Sequence, residues 1–292
     1  MADTSKIPFA SREVEAAYGH PRPGAVSAAR AASGDNGEER NRDRIDVAPR
    51  FTQADVIRLN NLFRGQDAAE TVASVLGAGL IGDTAIVSSF GAESAVLLHL
   101  VTRVAPDIPV LFLDTGKHFP ETLAYRDELT ARLALNLVNL APDAEELAKK
   151  DATELRWSYD PDGCCEIRKV KPLEKALVAY DASITGRKGF QSSTRQGLPR
   201  FELDGGTGRL KFNPLANWTR EDLDAYFEAH DLPRHPLEAQ GYPSIGCSPC
   251  TSKVKPGEDP RAGRWRGWDK TECGIHEAVA PIADDPANDP AF

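Results

Sequence analysis

The sequence predicts an α/β fold with a mostly parallel sheet and helices on both of its faces. Strand-like apolar runs alternate with helical segments between residues 85 and 186, which is the pattern of strands joined by helical crossovers. The chain has 292 residues with a hydrophobic content of 41%, enough for a large core. Ligands of such sheets bind beyond the carboxyl ends of the strands, so we expect a functional site there.

The predicted elements follow in order from local signals. A first helix is expected to begin after Thr52, an N-cap residue with Asp55 three positions later. Strands are predicted at residues 85–90, 108–113, 135–140 and 182–186, with helices at residues 95–104 and 120–133. An irregular hairpin is expected over residues 201–212, and Thr219 is predicted to cap a last helix that runs to about His230.

The two ends of the chain differ from its middle. The stretch from Gly34 to Arg44 is polar and mixed in charge, so it buries too little apolar surface to fold alone. The chain is therefore predicted to have a disordered or loosely docked arm at residues 1–50 and an α/β domain at 51–235. A cap with a mobile tail is predicted at residues 236–292, where Pro and Gly are frequent.

Bulk properties exclude several classes of protein. The net charge of −9 argues against general binding of nucleic acid. No run approaches the roughly 20 apolar residues that cross a bilayer, and no secretory signal is visible. A reducing, cytoplasmic location is therefore expected, without a membrane partner.

The cysteines are the most informative feature. Four of the five form two tight pairs, Cys164-Cys165 and Cys247-x-x-Cys250, while Cys273 stands apart. A disulfide framework is disfavoured, because such frameworks occur in short secreted chains and five thiols cannot all pair. The two pairs therefore predict a four-thiolate site for a metal or a cluster, and they leave Cys273 available for chemistry.

The turn after the first strand is a candidate anion site. It reads Ser88-Ser89-Phe90-Gly91-Ala92-Glu93-Ser94, and its hydroxyls and backbone amides precede a helix N-terminus that favours negative charge. Gly and Ser also occur in such turns for geometry alone. The second strand ends in Leu113-Asp114-Thr115-Gly116, which would lie beside the first turn and meet an adenosine.

Basic residues accompany the cysteines. Arg168, Lys169 and Lys171 follow the first pair, and cations stabilise thiolates and offset an anionic cluster or substrate. The segment around Cys273 carries arginines that suit phosphate or sulfate, together with Trp265 and Trp268. This composition disfavours an idle tail with an incidental cysteine.

These motifs together resemble a known family. The first turn resembles the PP-loop of adenine nucleotide α-hydrolases, with Phe90 in place of a glycine and Glu93 in place of the aspartate. Together with Leu-Asp-Thr-Gly, the paired cysteines and Glu-Cys-Gly-Ile-His, it resembles assimilatory adenylyl-sulfate (APS) reductase, of the PAPS/APS reductase family. The similarity extends roughly from Thr52 to His276 and implies a PP-loop-like fold, with a nucleotide-binding α/β domain at residues 51–235 and a cluster-binding cap with a catalytic tail at residues 236–292.

The resemblance also implies an activity and its residues. APS would be reduced to sulfite and AMP through an S-sulfocysteine, with thioredoxin or a glutaredoxin-type thiol as donor, for cysteine biosynthesis. It implies a [4Fe–4S] cluster on Cys164, Cys165, Cys247 and Cys250, and Cys273, Lys169 and His276 as catalytic residues. The implied substrate-binding residues are Ser88, Ser89, Phe90, Gly91, Ser94, Leu113, Thr115, Gly116, Arg187, Arg195, Arg261 and Arg264.

Three alternatives stay open at this point. A 3′-phospho-APS (PAPS) reductase would share the fold and the nucleophile, although such enzymes typically lack the four cluster cysteines. A zinc-stabilised PP-loop enzyme, such as a tRNA-thiolating protein, is disfavoured because Cys₄ zinc sites usually have two Cys-x-x-Cys pairs. An iron–sulfur sensor would leave Cys273 without a role. A homo-oligomer is neither predicted nor excluded.

Overall fold

The computed structural model describes residues 50–191, 195–204 and 207–275. The predicted N-terminal arm lies outside the described residues. Helices α1 (Gln53–Leu62), α2 (Ala68–Gly77), α3 (Ser94–Thr102), α4 (Pro120–Leu133) and α5 (Ala144–Lys150) belong to the first half of the domain. In the second half are α6 (Pro161–Cys165), α7 (Lys171–Leu177) and α8 (Arg220–Ala229), and a π-helical turn, Glu166–Val170, joins α6 to α7.

A single twisted sheet carries the domain. Within the described ranges its strands are β1 (Thr84–Ser88), β2 (Pro109–Leu113), β3 (Asn136–Leu140), β4 (Ala182–Thr185), β5 (Phe201–Leu203) and β6 (Leu210–Phe212). Their order is β3-β2-β1-β4-β6-β5, and every neighbouring pair is parallel except β5 with β6. The chain leaves β1 toward β2 and later returns to its other side as β4, which places a switch point at β1 and β4.

Side chains alternate across the sheet and bury both of its faces. Ile86, Val110 and Phe112 belong to the main core, which packs against helices α1 to α4 and α8. Ala85 and Leu111 point the other way, into a smaller cluster with Leu173 and Leu177 of α7. The prediction of an α/β fold with helices on both faces is therefore confirmed.

Local capping explains where the predicted helices begin. Thr52 and Asp55 form a reciprocal capping box at the start of α1, and Thr219 forms the same box with Asp222 at the start of α8. The helix predicted at residues 120–133 has these bounds, with Pro120 at its first position. At Ala134 the backbone turns left-handed, with φ of 49°, and ends the helix.

Some elements were not predicted. Helices α2, α5, α6 and α7 were not predicted from the sequence. Strand β6 of the predicted hairpin also pairs with β4 in parallel, so it extends the main sheet. The residues after Leu232 contain short 3₁₀ turns, at Glu238–Gln240 and Ser248–Cys250, and an isolated bridge between Thr251 and Arg264. No helix in the described ranges has both the length and the apolar character that crossing a membrane requires.

Candidate active site

A cleft opens where β1, β2 and β4 end. The strand ends at Ser88, Leu113 and Thr185 form its floor, and the segment from Pro243 to Ile275 forms its other wall. Eleven of the residues predicted for catalysis or substrate binding line it: Ser88, Ser89, Gly91, Ser94, Leu113, Lys169, Arg187, Arg195, Arg261, Arg264 and Cys273. Residues far apart in sequence thus meet at the sheet edge where a ligand was expected.

Three other predicted residues lie behind the cleft wall. Phe90 is fully buried with φ of 49° and contacts Phe112 edge to face at 5.5 Å, so its side chain fills the core. Thr115 is also buried, and its hydroxyl lies 3.4 Å from Cys247 Sγ. Gly116 takes a left-handed φ of 69° beside the guanidinium of Arg168. Predicted His276 lies outside the described residues.

The four paired cysteines line a second, smaller cavity. Cys164 and Cys165 end helix α6, Cys247 precedes a 3₁₀ turn and Cys250 ends it, and all four thiols are free. No three His, Cys, Asp or Glu side chains of the described ranges converge on one point as ligands of a single ion. The four sulfurs instead face a shared cavity, which fits the donor set of a Cys₄ iron–sulfur cluster.

Burial disfavours the thiolate form of three of these four cysteines. Burial raises the pKa of Cys164, Cys165 and Cys250 to about 11, and a neighbouring cysteine adds to the shift in each case. Burial acts on Cys247 as well, but the nearby ammonium of Lys169 outweighs it and lowers the pKa of that thiol. Positive charge in the cavity would favour the thiolate forms of these cysteines, as metal coordination does.

Lys169 belongs to the wall between the two cavities, and so do Cys247 and Trp265, because each of them lines both. Burial disfavours the ammonium, yet the charges of Cys247, Cys273 and Cys165 together raise the pKa of Lys169. Its positive charge is therefore kept at neutral pH. Arg264 lies nearby over the ring of Trp265 at 4.4 Å. Its guanidinium also lies against the backbone of Gly246, where a Cβ atom would contact it.

Arg168 has a structural role besides the electrostatic one expected. Its charge acts to lower the pKa of the Cys164 thiol, against the larger effect of burial, and its guanidinium donates to Asp151 at 2.7 Å and to the carbonyl of Thr115 at 2.7 Å. Both ionic partners are buried. This bond network ties the cysteine-bearing turn to the loop after β2, whose Thr115 contacts Cys247. Arg168 therefore braces the cysteine cavity.

Glu93, Lys188 and Arg220 form a buried ion network in the cleft that sequence reasoning missed. Glu93 pairs with Lys188 at 2.7 Å and with Arg220 at 2.7 Å. Burial raises the pKa of Glu93, but the two cations outweigh it and lower the pKa overall. The signal available was the Arg187-Lys188 pair directly after β4. Glu93 therefore offsets one of these two positive charges, and other cations of the cleft add to what remains for an anionic ligand.

The tail is fixed on both sides of Cys273. Before it, Glu272 pairs with Arg195 at 2.8 Å and with Arg261 at 3.1 Å. After it, Ile275 packs into the apolar cluster that contains Leu173 and Leu177. Cys273 lines the large cleft and also a separate groove of about 690 Å³ that contains Asp162 and Glu166.

The sequence matches the family model described as phosphoadenosine phosphosulfate reductase domain, over residues 83–253. The chain belongs to the phosphoadenosine phosphosulfate reductase family. The match starts just before β1 and ends just after the second cysteine pair, so it includes both sides of the cysteine cavity.

Curated proteins similar to this family member have two related names. A protein of Chelativorans sp. named adenosine 5′-phosphosulfate reductase is 55% identical over 67% of this chain and 79% of its own. A protein of Mesorhizobium japonicum with the same name is 52% identical over 66% and 76%. A Gloeobacter violaceus protein named phosphoadenosine 5′-phosphosulfate reductase is 46% identical over 65% and 81%.

A solved structure of the phosphoadenosine phosphosulfate reductase family has the same fold. The phosphoadenylyl-sulfate reductase from Candida auris, in a phosphate complex, is 28% identical and superposes with a TM-score of 0.59 over 70% of this chain and 98% of its own. The PP-loop-like fold and the family suggested by the sequence motifs are therefore confirmed.

Proposed function

We propose that this chain reduces adenosine 5′-phosphosulfate to sulfite and AMP in assimilatory sulfate reduction, with a thioredoxin or glutaredoxin-type protein as thiol donor. Family membership supports an oxidoreductase acting on sulfur. The observation that carries the finer proposal is the meeting of Cys273, Lys169 and the predicted anion-binding residues in one cleft beside the four-cysteine cavity.

The reaction divides into two displacements at sulfur. The thiolate of Cys273 attacks the sulfur of the mixed anhydride, an S–S bond forms, and the S–O bond breaks as AMP leaves with the electron pair. A donor thiolate then attacks Sγ of Cys273, and sulfite leaves with the electron pair. A second donor thiol resolves the mixed disulfide and restores Cys273, so the two electrons come from the donor.

Residues of this chain place and stabilise the reacting groups. Lys169 presents its ammonium to Cys273 from the wall of the cleft, where it would pair with sulfate or phosphate oxygens. Arg187, Arg195, Arg261 and Arg264 would bind the remaining oxygens, and the Ser88–Gly91 turn and Ser94 would receive the phosphate at the start of α3. Leu113 would border the adenosine, while Thr115 and Gly116, which do not line the cleft, would shape the loop after β2. Predicted His276 would act next to the nucleophile.

Cys164, Cys165, Cys247 and Cys250 would hold the proposed [4Fe–4S] cluster. Their thiols form no disulfides, they line one cavity, and positive charge between them would favour their thiolate forms. When bound, the cluster supplies local charge and cross-links helix α6 to the cap segment, while the electrons come from the thiol donor. Free thiols of this kind suit a reducing cytoplasm, which is part of the proposal.

PAPS is the second candidate substrate. The similarity to proteins named for PAPS reduction, from Gloeobacter violaceus and Candida auris, supports it. PAPS differs by one phosphate, so the nucleophile and the two displacements would stay the same.

The test is thioredoxin-dependent sulfite release by anaerobically purified protein, with APS and PAPS supplied separately. We expect release from APS, and we expect the Cys273→Ser variant to retain its iron and bind APS but release no sulfite. Release from PAPS alone would change the substrate and keep the mechanism. Sulfite from the Cys273→Ser variant would exclude Cys273 as nucleophile, and no release from either substrate would reject the proposed function.

A further inference from the structure

The carboxylate of Glu272, directly before Cys273, occupies two of the guanidinium groups that line the cleft. Arg195 donates to it through Nε and Nη2, both at 2.9 Å, which is the bidentate geometry of strong carboxylate recognition. Arg261 donates to the same carboxylate at 3.1 Å and to the backbone carbonyl of Thr271 at 2.6 Å. Glu272 is only 18% exposed and the two arginines less, so solvent weakens these bonds little.

The pairing fixes the nucleophile as well as the arginines. Cys273 has the two-arginine clamp on its N-terminal side and, on its C-terminal side, Gly274 with φ of 85° followed by Ile275, which is partly buried against the cluster that contains Leu173 and Leu177. A chain held at adjacent residues on both sides leaves the thiol little freedom. Orientation of a nucleophile contributes strongly to rate, so the clamp on Glu272 has a direct consequence for Cys273.

The same pairing opposes the binding of an anion. Of the cleft cations, Lys188 and Arg220 share the carboxylate of Glu93, and Arg187 pairs with Glu202. Arg195 and Arg261 share the single carboxylate of Glu272, which offsets one of their two positive charges. An anionic ligand that uses these two arginines must compete with a carboxylate that the chain itself supplies, and such a cost reduces apparent affinity.

We propose that Glu272 is a positioning residue that latches the tail through Arg195 and Arg261, sets Cys273 at the cleft, and competes with the anionic group of the substrate for both arginines. This inference rests on the proposed function for the identity of the substrate. Removal of the carboxylate is therefore expected to strengthen substrate binding and to slow the chemical step, because the same group competes with the substrate and positions Cys273.

The first test needs no substrate. Alkylation of Cys273 by neutral iodoacetamide is followed by mass spectrometry in the cluster-loaded, ligand-free protein. Glu272→Gln is expected to speed alkylation by about fivefold, in the range of typical coupling effects. Glu272→Asp keeps the charge but is one methylene shorter, so it should also speed the reaction. Equal rates in all proteins would overturn the latch.

The second test measures APS affinity by calorimetry in the unreactive Cys273→Ser background. Adding Glu272→Gln is expected to tighten binding by about tenfold. In the active protein the same substitution should lower KM and also lower kcat, a split that mere loss of structure does not produce. Unchanged or weaker APS binding would refute the competition.

The matched control is Glu258→Gln. Glu258 lies in the same tail and pairs with an arginine, Arg266, at 3.1 Å, but it lines neither the cleft nor the groove. It should leave alkylation and binding as in the parent protein. An equal response from this variant would attribute the effect to tail charge in general and reject the latch. Failure of the parent to bind APS would count against the proposed function, while the alkylation result would still decide the latch.

Discussion

Lys169 is the residue whose position links the two cavities most directly. Its ammonium interacts with Cys247 on the side of the four cysteines and with Cys273 on the side of the cleft. The buried charge of Lys169 thus lies between the four paired cysteines and the proposed nucleophile, where the dielectric is low and electrostatic effects are strong.

The Lys169→Ala variant is expected to lose sulfite formation by about 10² to 10³-fold, the typical cost of removing a transition-state charge partner. Lys171→Ala is the control, since it removes the same side chain two positions later, where it is partly exposed and pairs with Glu146. Steady-state turnover and iron content decide the outcome together. Near-normal turnover of Lys169→Ala with full iron content would remove this lysine from the mechanism.

Cysteine spacing made the thiol sites predictable, because few alternatives put two tight pairs and a lone cysteine in one chain. The partners of the charged residues were not predictable in the same way. Arg168 and Arg195 read as ligands for anions, yet they bond Asp151 and Glu272. These pairs join residues 17 and 77 positions apart, and no local pattern encodes them.

At the scale of elements, helix α6 and the π-helical turn present the first cysteine pair to the cavity. π-Helical turns are rare and occur often at functional sites. This one carries Arg168, whose bonds to Asp151 at the end of α5 and to the loop after β2 fix the turn from two directions. The geometry of Cys164 and Cys165 thus depends on a buried ion pair outside the motif.

Asp151→Asn is expected to destabilise the protein by about 3 kcal/mol, since it leaves the buried charge of Arg168 without its counter-ion. The unfolding temperature should fall by about 6–12 °C, and iron content should fall with it. Asp143→Asn, at the other end of the same helix, is the control because Asn caps a helix as well as Asp does. Calorimetric scans of the three proteins measure the difference; equal transitions would show that the pair contributes little.

The order of strands and helices could be predicted to within a few residues because apolar runs and capping residues are local signals. The place of β6 could not. Its three residues have too little periodicity to show that it pairs with β4, and this pairing is decided by the packing of Phe212 and Leu210 in the main core. The seventeen residues from Pro161 to Leu177 were read for their cysteines and cations, and the π-helical turn between two helical segments disrupted the periodicity that would have shown a helix.

At the scale of the whole molecule, the cap segment completes a site that the sheet alone would leave open. Residues 243–275 supply the second cysteine pair, two of the cleft arginines (Arg261 and Arg264) and the proposed nucleophile Cys273. They also supply Glu272, which pairs with Arg195 and Arg261. The sheet supplies the strand ends and α6 supplies the first cysteine pair. Because both cavities need both parts, binding in one cavity and order in the other are expected to depend on each other.

The groove beside the cleft gives a prediction about the second half of the reaction. Protein is first converted to the S-sulfo form with APS and freed of nucleotide, and dithiothreitol is then added with or without AMP. We expect sulfite release at the same rate in both, because Cys273 borders the groove as well as the cleft. Strong inhibition by AMP would show that a thiol reaches Cys273 only through the cleft.

Because Cys273 borders both the cleft and the groove, AMP can leave through one opening while the thiol donor approaches through the other. AMP need not leave before the thiol donor binds, so neither event has to limit the rate of the other. The order in which products leave would then vary with the concentrations of AMP and thiol around the enzyme, rather than being imposed by the architecture of the site.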